Sequence, residues 1–125
     1  MSAAFDLEQT YLSLASDGRA DSLAGAHFGE RMSKAPSDMA YLVGVYPFSA
    51  DWPHWEMHPR GHEVLVILDG RLEMTFEEEG ARRTVEAGPG STLMVPPGAW
   101  HIARILEPGR MLGITYGEGT EHRPR

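Results

Sequence analysis

The chain has six histidines and no cysteine, so its metal-capable side chains offer only nitrogen and oxygen donors. The densest group of them lies between Trp52 and Gly70. His54, Glu56 and His58 alternate with Pro53, Trp55 and Met57, and an extended backbone would send all three polar side chains to one face. Pro59, Arg60 and Gly61 read as a turn. Glu63 then opens Val64-Leu65-Val66-Ile67-Leu68, an apolar run whose β-branched content and bounding Gly70 favour a strand. A second stretch, Gly90 to His101, adds another imidazole, with Pro96, Pro97 and Gly98 turning the chain between Leu93-Met94-Val95 and Trp100-His101-Ile102. His58, His101 and Glu63 form a two-histidine, one-carboxylate set that can hold a divalent cation and leave coordination positions open. Glu56 would bring a second negative charge to match the dication, or accept a hydrogen bond from a ligand imidazole, or mark a site whose metal affinity has been lost. Fe(II), Mn(II), Ni(II) and Zn(II) all suit such donors. The competing reading is a polar lining that hydrogen-bonds within itself and holds no ion.

The two stretches resemble the paired motifs of the cupins, specifically small single-domain barrels of the cupin 2 type. His58, Glu63 and Gly70 fit the first motif, G-x5-H-x-H-x4-E-x6-G, and Gly90, Pro96, Gly98 and His101 fit the second, G-x5-P-x-G-x2-H-x3-N. Glu56 stands where the family has its first histidine, Ile105 where it has asparagine, and Ala50 where motif one begins with glycine. The resemblance covers residues 40 to 116 and implies an all-β double-stranded β-helix, a jelly-roll barrel. It also implies a metal site at Glu56, His58, Glu63 and His101. The activity it suggests is metal-dependent binding of a small organic molecule, with dioxygenase and isomerase as the reaction classes. A non-catalytic binding or sensor protein, with or without metal, is the alternative.

The remaining histidines belong elsewhere on this reading. His62 points away from Glu63 in a strand and reads as a surface or interface residue, His54 as pocket rim, and His27 and His122 as solvent-exposed. At 125 residues the chain supports one core. Eleven basic against 18 acidic residues, net −7, with no Lys/Arg cluster, argue against nucleic acid and anionic membrane as partners. The amino-terminal residues lack the basic start and apolar core of a signal peptide, and no apolar run approaches spanning length, so a cytoplasmic location is expected.

The elements that must carry these residues divide as 1–39, a helix and arm; 40–116, the barrel; and 117–125, a polar tail. Asp6 can cap a short amino-terminal helix with Leu7, Tyr11 and Leu14 on one side and Gly18 as its stop. Residues 19–39 read as a weakly structured lead-in. From Tyr41 the pattern is β: 41–46, then the site strand, then Arg71–Glu77 with strict alternation, a tip at Glu78-Glu79-Gly80, the return 81–85, and a last strand over 111–116. If Glu63 points inward, so do Leu65 and Ile67, and Val64, Val66 and Leu68 form an apolar outer stripe. That stripe wants a cover, either the amino-terminal helix or a second subunit, which makes a homodimer the expected assembly.

Overall fold

The computed structural model describes residues 4–25, 29–31 and 38–125. It is built from antiparallel strands: β1 (Thr10–Ala15), β2 (Ala20–Ala24), β3 (Met39–Phe48), β4 (His54–Met57), β5 (Glu63–Glu78), β6 (Ala81–Ala87), β7 (Thr92–Val95), β8 (Trp100–Thr115) and β9 (Glu121–Pro124). β5 and β8 are 16 residues each and organise the rest. They run antiparallel from the Glu63/Thr115 pair to the Glu77/Trp100 pair, with register shifts between Ile67 and Leu72. At those shifts the pair bends, so its two halves belong to two different sheets. The amino-terminal half of β5 pairs with β7 and with the carboxy-terminal half of β8, and β3, β1 and β2 continue that sheet outward. The other half of β5 pairs with β6 and with the start of β8, which leads on to β4 and β9. Two sheets sharing two bent strands enclose one interior, the jelly-roll arrangement.

Glycine makes the bend possible. Gly70 sits at φ +81, and a Cβ on Gly109 would lie 1.9 Å from the Asp69 carbonyl oxygen. Val64-to-Leu68 and Arg71-to-Glu77 are therefore one strand rather than two. Its far end closes in a two-residue turn with Glu79 at φ 51 and Gly80 at φ 81, the backbone that matches strand twist. Period-two burial follows from the alternation in sequence. Glu63, Leu65 and Ile67 are buried in turn, as are Leu72, Met74 and Phe76, and they meet Phe48, Leu93, Val95, Ala103 and Met111 in the core.

The amino-terminal helix expected from Asp6 to Gly18 is instead the β1–β2 hairpin. Asp6 does organise a turn, accepting Glu8 N on its side chain and Gln9 N and Thr10 N on its carbonyl. Beyond it, Tyr11 and Ser13 are buried while Leu12 and Leu14 lie half-buried on the opposite face, and Gly18, at φ +92, turns the hairpin. The spacing of Leu7, Tyr11 and Leu14 does not exclude a strand, and pairing of β1 with β3 decided the outcome. Residues 20–24, read as weakly structured, form β2. Among the described residues, helical geometry is found at 29–31, and no helix is long and apolar enough to cross a membrane. His27, Phe28 and Met32 lie outside the described residues. The polar stretch 117–125 contributes β9, which pairs with β4.

Candidate metal centre

Glu56 lies on β4, His58 just past its end, Glu63 at the start of β5 and His101 at the start of β8. Pairing brings them together. Glu56 stands opposite His101, and the turn at 59–62 folds Glu63 back toward His58. One nitrogen or oxygen from each of the four lies within 4.8 Å of the others. His58 Nε2 is 3.1 Å from Glu56 Oε1 and 3.2 Å from Glu63 Oε2, and His101 Nε2 is 3.1 Å from Glu63 Oε1. Both imidazoles and Glu63 are buried, while Glu56 keeps 18% of its side chain exposed.

The rings are held from behind. His101 Nδ1 donates to the Ala99 carbonyl at 3.2 Å, and His58 Nδ1 meets Thr120 Oγ1 at 2.8 Å. Each Nε2 therefore faces the common centre, which is the orientation that second partners impose on ligand histidines. Glu63 also accepts a 2.5 Å hydrogen bond from Thr115 Oγ1, and Glu56 Oε2 lies 3.2 Å from His122 Nε2. Burial by itself would lower the pKa of His58, but hydrogen bonds and charge from Glu56 and Glu63 outweigh it and raise the value to about 9. For Glu63, burial pushes upward and the two histidines pull harder, leaving the carboxyl well below its ordinary range.

The donor set fits a divalent cation. Ligands about 2.0–2.2 Å from an ion lie roughly 3 Å from their nearest neighbours in the shell, close to the 3.1, 3.2 and 3.1 Å separations measured here. Two carboxylates balance a charge of +2, and a buried charge without such balance costs several kcal/mol or more. A cavity of about 190 Å³ borders the cluster, lined by Glu56, Glu63 and Thr115 together with Tyr46, Pro47, Phe48, Trp52, Leu65 and Met111. Burial raises the pKa of the Tyr46 phenol, against an opposing pull from Arg31, so Tyr46 presents a neutral hydroxyl.

Motif spacing brings together the four residues it singled out. His54 and His62 are exposed and stand outside the cluster. His122 is 54% exposed, as expected, yet it also touches Glu56. Thr115, Thr120 and Trp52 were not anticipated as site residues. Tyr46 and Thr115 left a trace in the sequence through their places in the first and last predicted strands, and Trp52 through its place at the head of the site stretch.

A protein-family model described as a cupin domain matches residues 42–115. No curated protein matches the chain. Among solved structures, a cupin superfamily protein from Desulfitobacterium hafniense superposes with a TM-score of 0.54 at 25% identity, covering 67% of this chain and 72% of that one. Hydroxypropylphosphonic acid epoxidase from S. wedmorenis gives 0.53 at 14% identity, covering 62% and 44%. An oxalate decarboxylase mutant from Bacillus subtilis gives 0.57 at 18%, covering 74% and 26%. The chain thus spans less than half the length of either enzyme.

Proposed function

This chain belongs to the cupin family, whose domain model covers residues 42–115, and from that premise we propose that it is a metal-dependent cupin that binds a small organic molecule inside its barrel. The observation that carries the reading is the convergence of His58 Nε2, His101 Nε2 and both Glu63 oxygens beside an apolar cavity. Glu56, His58, Glu63 and His101 are the proposed ligands of an Fe, Mn, Ni or Zn dication. When bound, the ion supplies Lewis-acid polarisation of an oxygen on the bound molecule.

The chain's own residues define the rest. At about 190 Å³ the cavity lies below the ~300–1,000 Å³ of drug-sized sites, so the ligand is small. Phe48, Trp52, Leu65 and Met111 contact its apolar body and exclude water, while Tyr46, whose hydroxyl is hydrogen-bonded to Arg31, completes the wall. Glu56 is the least buried of the four and lines the cavity as well as the cluster. It is the proton carrier when the molecule is turned over by dioxygenase or isomerase chemistry, with His122 connecting it to solvent. The assembly we propose is a homodimer.

Elemental analysis of the purified protein, with melting curves in Fe(II), Mn(II), Ni(II) and Zn(II), tests the site. Stoichiometric metal, or a rise in melting temperature with one of these ions that His58→Ala and His101→Ala abolish, is expected. A metal-free protein whose melting none of the ions moves would overturn the proposal.

A further inference from the structure

We infer that Thr120 is the positioning residue that fixes His58 for coordination, an inference that rests on the ligand set proposed above. The Thr120 hydroxyl lies 2.8 Å from the Gly117 carbonyl, to which it donates its one proton. A hydroxyl whose proton is committed can only accept at its other contacts, so the 2.8 Å bond to His58 Nδ1 is donated by the ring. The proton of a neutral His58 therefore sits on Nδ1 and the lone pair on Nε2, the atom facing Glu56 and Glu63.

The backbone holds Thr120 in place for this. Met57 is paired with Glu121, so continuing the β4–β9 register by one residue sets His58 against Thr120. Thr120 N also bonds to the Gly117 carbonyl at 3.1 Å, and Gly119, at φ +78, makes the turn that brings the hydroxyl inward. The two ligand histidines differ in this respect. His101 is oriented by a main-chain carbonyl, which no side-chain change removes. At His58 the partner of Nδ1 is a side-chain hydroxyl 62 residues away in sequence.

The test compares Thr120→Val, which keeps the shape and loses the hydroxyl, with Thr120→Ser, which keeps the hydroxyl. Two quantities are measured: the dissociation constant for Mn(II) or Zn(II) by chelator competition, and the His58 tautomer by nitrogen-15 NMR of the metal-free protein in alkaline solution. Thr120→Val is expected to weaken metal binding about 10- to 100-fold and to lose the Nδ1–H tautomer, with far-UV circular dichroism unchanged. Thr120→Ser should stay within about threefold of wild type, since its hydroxyl can make the same two bonds. Wild-type affinity and tautomer in Thr120→Val would overturn the role of Thr120 and leave the ion site standing. Equal weakening in the Ser and Val variants would also overturn it, because the hydroxyl would then not be the operative group. A wild-type protein that binds none of the four ions would overturn the site and this inference with it.

Discussion

In the proposed site, His58 would connect the protonation of this protein to metal binding. In the metal-free state its pKa is raised to about 9 from an ordinary 6.5, so the stability gained from its imidazolium is fully present below about pH 6.5 and is lost as pH rises through about 9. Glu63 has the opposite sign, its contribution being present above its ordinary 4.5 and lost as pH falls. The metal-free protein should therefore melt highest between about pH 4.5 and 6.5. An ion must displace the proton on His58, so metal affinity should rise by up to about tenfold per pH unit until about pH 9. Calorimetric melting of metal-free and Mn(II)-loaded protein should show the gap between them widening from pH 6.5 to 8.5; a constant gap would mean that no proton competes at His58. The four clustered residues were legible because motif spacing is a local property of sequence. Thr115, Thr120 and His122 were not, because each reaches the site through strand pairing, 52, 62 and 66 residues from its partner.

At the scale of elements, β5 and β8 succeed as sheet-crossing strands only because their backbones nearly touch where they bend. The Gly109 α-carbon and the Asp69 carbonyl leave no space for a side chain, since an added Cβ would meet that oxygen at 1.9 Å and Gly70 Cα at 2.6 Å. These are main-chain atoms of a paired strand and cannot rotate aside. Gly109→Ala should cost about 3 kcal/mol, read as a lower denaturant midpoint with unchanged slope. Gly18→Ala is the control, because its added Cβ meets nothing within 4 Å and only the positive φ is penalised; it should cost about 1 kcal/mol. Equal losses in the two would remove the close approach as the cause. Strands with strict alternation, such as 71–77, were legible in sequence because one face is wet and one is dry. β1 was not, since Leu7, Tyr11 and Leu14 satisfy a helical spacing as well. Its identity depends on β3 lying alongside, information that no window of the sequence contains.

The molecule has two outer sheet faces, and among the described residues they differ in how far side chains cover them. On the β4–β9 side, Arg82 and Arg123 lie over the Trp55 ring at 5.0 and 4.8 Å and Arg123 over Trp100 at 4.7 Å, burying Trp55 to 6% exposure. On the β7 side the outward residues are Val64, Val66, Leu112 and Ile114, all half-buried, with Leu68 at 39% and Met94 at 60% exposure. Met94 stands directly opposite Val64 in the register, and Val64 opposite Ile114, so these side chains form one continuous apolar row. The expected helical cover is the β1–β2 hairpin, which extends the sheet at its edge and does not lie across this face. Contiguous exposed apolar surface commonly marks contacts, and in the proposed homodimer a second copy of the chain would supply a matching patch through two-fold symmetry. Light scattering on the eluting protein at tens of micromolar should give about twice the 13.8 kDa chain mass. The double substitution Leu68→Glu with Met94→Glu should return the single-chain mass without loss of metal binding, because both side chains point away from the buried Ile67, Leu93 and Val95. A wild-type mass of one chain would leave this face as exposed surface and overturn the dimer.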